Sequence, residues 1–224
     1  MSNPSRSILA AAAVLVAVAL GYVFLVERSA PDAVATSETS VAQQEQSSLT
    51  NTEAAPTDAP VLTLEVAGQA NGIIRVAMRP DLAPNHVAQI TELAKRGAYD
   101  GVAFHRVIEG FMAQTGDVQH GKPDGTPGLV GTGGSNLPDL DAEFTNKASF
   151  ERGVMGMARS ANPNSANSQF FLMFAPAPHL DGQYTIVGEV IEGLDVLDAI
   201  KRGEGPNGAM IGAPDRMTKV TVSP

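Results

Sequence analysis

Val102-Ala103-Phe104-His105-Arg106-Val107-Ile108-Glu109-Gly110-Phe111-Met112-Ala113-Gln114-Thr115-Gly116-Asp117 reads as two short strands around a turn at Glu109-Gly110. Bulky and β-branched residues flank a glycine, which is the pattern of a hairpin. One arginine and one glutamine stand among phenylalanine, methionine, valine and isoleucine. A mostly apolar surface with a few placed hydrogen-bonding groups is the usual make-up of a binding pocket. Strict strand alternation would put Phe111 on the face opposite Met112 and Gln114. All three share a face only if a bulge or strong twist interrupts the strand, for which Gly110 gives the means.

Upstream, Val61-Leu62-Thr63-Leu64-Glu65-Val66 and Gly72-Ile73-Ile74-Arg75-Val76-Ala77-Met78 alternate as antiparallel strands joined near Gln69–Gly72. A helix follows, with Pro84 in its first turn, an apolar stripe of Val87, Ile90, Leu93 and Ala94, and a stop at Lys95-Arg96-Gly97. Downstream, 120–147 is rich in Gly, Pro and Asp and reads as loop. Strands are expected at 153–159, 169–174, 184–190 and 217–222, with a second short helix at 194–202. With no repeated βαβ spacing, the fold class is mainly β: a closed eight-stranded antiparallel barrel capped by two α-helices over residues 61–224.

The N-terminal part has a different composition. Ile8 to Val26 is a run of 19 residues without a charge, which as a helix spans about 28 Å, close to the hydrocarbon thickness of a bilayer. The run exceeds the usual secretory core, and the Ala33-Val34-Ala35 cleavage candidate lies beyond Glu27, Arg28, Pro31 and Asp32. The reading is therefore a retained transmembrane anchor, with a cleaved leader as the alternative. Arg6 in residues 1–7 keeps the N-terminus cytoplasmic and sends the rest across. For a bacterial protein this means a periplasmic domain on an inner-membrane tether. Residues 27–60 hold six acids against the single Arg28 and contain no aromatic residue, isoleucine or glycine; such a segment is expected to be a disordered spacer.

The 224-residue chain has a net charge of −9 and no cysteine. Disulfides and thiolate chemistry are excluded, and no basic face for nucleic acid is apparent. His86, His105, His120 and His179 show no paired metal-ligand spacing. His105, Asp117 and a serine can be combined on paper into a hydrolase triad, but no Gly-x-Ser-x-Gly elbow supports it. Gly131-Thr132-Gly133-Gly134 lacks the Lys-Ser/Thr of a phosphate loop.

Several blocks in register resemble the cyclophilins, a family of peptidyl-prolyl cis/trans isomerases. These are Phe104–Ile108, Gly110–Met112 with Gln114 and Gly116-Asp117, Gly131–Gly134 before Glu143-Phe144, Met157-Ala158, Asn167–Phe171, and Leu180-Asp181-Gly182. The resemblance covers about 61–222 and implies rotation of X-Pro amides without cofactor or metal. It makes Arg106 the catalytic residue. Phe111, Met112, Phe171 and Leu180 become the proline pocket, Gln114 a ligand of the substrate backbone, and Ala158-Arg159 the backbone that pairs with the peptide. Gln169 and Tyr184 complete the substrate-binding set. Departures from the family pattern are His179 for a tryptophan that supports cyclosporin binding, Tyr184 for histidine, Arg159 for asparagine and Thr115 for glycine. The expected partners are proline-containing segments of unfolded or exported proteins, and the expected state is a monomer. A proline-peptide-binding chaperone of the same fold, independent of turnover, is the rival reading.

Overall fold

The computed structural model describes residues 56–126 and 128–224. The expected cytoplasmic segment 1–7, the membrane span 8–26 and residues 27–55 of the spacer lie outside the described residues. No helix among the described residues is long and apolar enough to cross a membrane.

Among the described residues nine strands form one antiparallel sheet: β1 (Val61–Ala67), β2 (Gly72–Met78), β3 (Val102–Ala103), β4 (Arg106–Ile108), β5 (Met112–Thr115), β6 (Val154–Met157), β7 (Phe170–Met173), β8 (Ile186–Glu192) and β9 (Arg216–Ser223). They pair in the order β3-β9-β1-β2-β8-β6-β7-β5-β4. The expected closed eight-stranded barrel is thus corrected to a curled nine-stranded sheet with two ends, β3 and β4. The sequence reads Val102–Ile108 as one strand, but the chain turns within it. The Phe104 amide donates to the Asp215 carbonyl on the β9 side, and the next amide, that of His105, donates to the Gln114 carbonyl on the β5 side. The seam between the two ends is spanned by the chain itself, with no ladder.

Two α-helices complete the fold of the described residues, α1 (Pro84–Lys95) and α2 (Leu194–Ala199). Pro84 begins α1 as expected, but Ala83 before it has no side chain to cap the first amides. Glu143, from a distant loop, does so: its carboxylate accepts the Asn85 and His86 amides at 3.2 and 3.1 Å. Helix α2 is shorter than expected from 194–202. Ile200 turns to an extended backbone and goes into the core, and the Lys201 amide is taken by the buried Asp215 carboxylate at 2.7 Å.

Strand alternation divides the interior in two. Along β7, Phe170 and Leu172 enter the main core with Leu62, Leu64, Ile74 and Ile90, whereas Phe171 and Met173 face the other way. Along β5, Ala113 joins the main core and Met112 the second cluster. This smaller cluster, which also holds Phe150, Leu180 and Ile186, lies beneath the functional cleft.

Candidate active site

The hairpin read from the sequence is present. Gly110 adopts a left-handed φ of 66°, and the Phe111 amide closes the turn on the Ile108 carbonyl at 3.1 Å. Phe111 is therefore the last residue of the turn and lies outside β5, which begins at Met112. This removes the alternation problem without a bulge: only Met112 and Gln114 obey the strand period, and they share a face.

Pairing register then builds the site as a row across four strands. Arg106 of β4 stands opposite Gln114 of β5, Gln114 opposite Phe171 of β7, and Phe171 opposite Gly156 of β6. Directly paired residues on one face are close enough for their side chains to touch. Arg106 Nη1 donates to Gln114 Oε1 at 3.1 Å and lies 4.0 Å from Met112 Sδ. At the other end of the row Gly156 leaves room for rings: a Cβ there would lie 2.6 Å from both Phe150 Cε1 and Phe171 Cζ. The two phenylalanines stack with centroids 5.7 Å apart, and Tyr184 meets Phe171 edge-on at 5.9 Å.

The result is a cleft of about 180 Å³ lined by Arg106, Phe111, Met112, Gln114, Ala158, Arg159, Phe171, Leu180 and Tyr184. All nine are residues the sequence singled out. Met112, Phe171 and Leu180 are only 2%, 5% and 7% exposed, so the apolar floor is fixed by packing. The cleft is smaller than a typical small-molecule pocket of roughly 300–1,000 Å³, and its scale suits one side chain. Gln169, the tenth residue, lines an adjoining cleft of about 500 Å³ instead. Its amide is engaged within the protein: Nε2 donates to the Gly131 and Gly133 carbonyls at 3.0 and 2.8 Å, and Oε1 accepts from Gln114 Nε2 at 3.0 Å.

Arg106 is held from two sides. Nε donates to the Asn207 carbonyl at 3.0 Å, and Asn207 is the non-glycine residue with a left-handed φ, 55°, among the described residues. Burial lowers the Arg106 pKa below the ordinary guanidinium value, partly offset by Tyr184, yet a guanidinium stays protonated at neutral pH. On its other side Gln114 passes the constraint on to Gln169, and Gln169 to the glycine loop. That loop is anchored by Asp117, which is fully buried. The Asp117 carboxylate accepts the amides of Gln119, His120, Gly131 and Gly133 at 3.1, 2.8, 2.7 and 3.1 Å. Burial raises its pKa, but these four bonds outweigh that and leave it below 3.8. With both its oxygens so occupied, Asp117 makes no hydrogen bond to His105, and the His-Asp part of the triad is not assembled. Among the described residues no hydrogen-bond partner meets either buried ring nitrogen of His105. Burial lowers its pKa from 6.5, so it adds no charge beside Arg106 at neutral pH.

The rim carries residues that depart from the resemblance. Arg159 lies over the Tyr184 ring, 4.4 Å from the centroid. It donates to the Gln183 carbonyl from Nε and Nη2 at 3.3 and 3.0 Å and to the Ser160 carbonyl from Nη1 at 3.0 Å. His179 stacks on Phe111 with centroids 5.9 Å apart. Phe150, Asn207 and Asp117 support the cleft, although nothing in the sequence places them in the site. The Pro206-Asn207-Gly208 sequence marks a turn, but nothing in it marks a contact about a hundred residues away.

The model of the family "Cyclophilin type peptidyl-prolyl cis-trans isomerase/CLD" matches residues 61–222. The chain belongs to the cyclophilins. A "Probable peptidyl-prolyl cis-trans isomerase" of Brucella suis biovar 1 (strain 1330) is 59% identical over 155 residues, covering 68% of this chain and 78% of that protein. Peptidyl-prolyl cis-trans isomerase CYP18-1 of Arabidopsis thaliana is 37% identical over 153 residues, covering 67% of this chain and 90% of that protein. The crystal structure of the cyclophilin AquaCyp293 from Hirschia baltica is similar with a TM-score of 0.58 at 27% identity, over 72% of this chain and 73% of that one. A Cryptosporidium parvum cyclophilin, crystallised in the presence of the dipeptide Ala-Pro, shares the fold with a TM-score of 0.62 at 22% identity, over 73% of this chain and 99% of that one. This cyclophilin is accordingly an enzyme, a peptidyl-prolyl cis-trans isomerase.

Proposed function

We propose that the cleft accelerates rotation of X-Pro bonds in exported proteins, with Arg106 as the residue that favours the twisted amide. An amide resists rotation by about 18–20 kcal/mol because its nitrogen shares electron density with the carbonyl. Twisting returns that density to the prolyl nitrogen, so a donor aimed there binds the half-turned bond better than either planar form. No covalent bond changes, and the chemistry needs neither nucleophile nor acid–base pair. Five decades of acceleration correspond to about 7 kcal/mol of such preference. Met112, Phe171 and Leu180 grip the proline ring, Phe111 closes the mouth, and Gln114 has a place to meet the peptide backbone while it braces Arg106. Ala158 and Arg159 offer the extended edge along which the peptide lies.

The observation that carries this reading is the fixed guanidinium at the mouth of a side-chain-sized apolar socket. A module that only bound proline would need the socket alone, so Arg106 favours turnover over the chaperone reading. Arg106→Ala should lower kcat/KM for a short Ala-Pro peptide by about 10²–10³-fold, the range seen on removal of a preorganised charge-stabilising donor, with the circular dichroism spectrum unchanged. A variant that exchanges the peptide as fast as the wild type removes Arg106 from the mechanism. If Arg106→Ala loses exchange and with it the ability to suppress aggregation of an unfolded client, chaperone action depends on turnover.

The proposed setting is a single-pass inner-membrane protein whose isomerase domain works as a monomer in the periplasm. Its support is the uncharged run Ile8–Val26 and the acidic, glycine-free composition of 27–60. Intact-mass analysis of the membrane fraction tests it: a full-length species is expected there, and a soluble species lacking the run points to a cleaved leader.

A further inference from the structure

Among the described residues, Arg75, Arg79, Arg96, Arg152 and Arg202 each lie within ion-pair distance of a carboxylate. Arg106, Arg159 and Arg216 do not, and Arg216, bonded to the Gly101 and Gly121 carbonyls, lies outside the small cleft. The hydrogen bonds of Arg106 run to a backbone carbonyl and an amide oxygen, and those of Arg159 run to backbone carbonyls alone. Both line the same 180 Å³ cleft, whose nine residues include no carboxylate. In a chain of net charge −9, two guanidinium groups without counter-charges thus converge on one small cleft. Carbonyl contacts fix the Arg159 group in place and leave its charge unneutralised.

Position says what this charge can meet. Gln114, Ala158 and Arg159 line both the small cleft and the adjoining 500 Å³ cleft, so they form the ridge between the two. A peptide with proline in the socket crosses this ridge to reach the larger cleft. At about 3.3 Å per extended residue, the residue next to the proline passes over the ridge. Asp139, the carboxylate among the lining residues of the larger cleft, is bonded by Asn167 Nδ2 at 3.0 Å. The charge met by the peptide is therefore positive at the ridge and turns negative further along. Long-range repulsion from the acidic chain is largely screened beyond about 8 Å at physiological salt, whereas a contact at the ridge is not.

We infer that Arg159 is a specificity-determining residue that selects segments with a carboxylate side chain directly next to the proline, on the side that enters the larger cleft. This inference rests on the proline-isomerase reading and deepens it to an acidic substrate class.

Glutamate and glutamine have nearly the same shape and differ in charge, so they isolate the effect. Tetrapeptides with Glu or Gln immediately before the proline, and a second pair with Glu or Gln immediately after it, are compared by kcat/KM for exchange and by titration calorimetry. One of the two pairs should show a Glu-over-Gln preference of about fivefold in the wild type, within the range of a partly screened ion pair. The preference should shrink as salt is raised, persist in part in Arg159→Lys, and fall below about twofold in Arg159→Gln. A ratio at or below one for both pairs, or a preference undiminished in Arg159→Gln, overturns the inference. Calorimetry keeps the two readings apart. Peptides that bind with the Glu preference but are not exchanged sink the isomerase reading and leave the ridge selectivity standing; exchange without preference does the reverse.

Discussion

On the apolar side of the cleft, Met112, Phe171 and Leu180 rest on Phe150, Met173 and Ile186, a contiguous buried cluster. On the polar side, Arg106, Gln114 and Gln169 rest on the carbonyls of Asn207, Gly131 and Gly133, which belong to irregular loops. The first wall is held by close packing, which resists any change of volume. The second is held by a line of hydrogen bonds, in which each member fixes the next. Damage to the first should therefore show in the stability of the whole domain; damage to the second should show in stability at its buried anchor, Asp117, and in the rate of the reaction at its cleft end.

The largest effect is expected from Phe171→Ala. The ring is nearly fully buried against Phe150, and its loss should cost about 3–5 kcal/mol of unfolding free energy in urea titrations. A loss under about 1 kcal/mol would mean that the floor of the cleft is not part of the load the core carries.

Asp117→Asn comes next and attacks the far end of the polar line. An asparagine presents an NH₂ where two backbone amides now find an oxygen, so about 2 kcal/mol should go. The sign of its pH dependence follows from the lowered pKa. The carboxylate stabilises the fold fully above its unfolded value near 3.8, and the contribution disappears as pH falls through the lower folded value. The stability gap between wild type and variant should therefore be flat at neutral pH and narrow only below about pH 3.8. A gap that already closes between pH 5 and 7 contradicts the account given of this carboxylate.

The smallest effect is the most diagnostic. In a double-mutant cycle on kcat/KM, Gln114→Ala and Gln169→Ala should be non-additive by about 1 kcal/mol, because the second amide acts through the first. Additive losses would mean that Gln169 contacts the peptide by itself.

The contrast between the walls also explains what could be read from the sequence. Met112, Gln114 and Phe171 follow from strand period together with the family pattern, and nine of the ten residues gathered from the sequence line one cleft. The seam at Phe104–His105 was not legible, because periodicity cannot tell a continuous strand from one whose successive amides bond to different neighbours. Likewise Ala83 gave no sign that α1 is capped by Glu143 from a remote loop, and Asn207 gave no sign of its bond to Arg106. Such contacts depend on where loops meet in space, and local sequence carries no trace of that.

The pairing of the first and last strands has a consequence for how the domain can be attached to anything else. Val61, at the start of β1, lies opposite Ser223, at the end of β9, so the polypeptide enters and leaves the domain through one doorway. The strands bearing the cleft follow β1 only after β2 and β8 in the pairing order. Cargo hung on either end, or a short splice joining the two into a ring, would therefore load the quiet flank of the sheet and leave the workplace open.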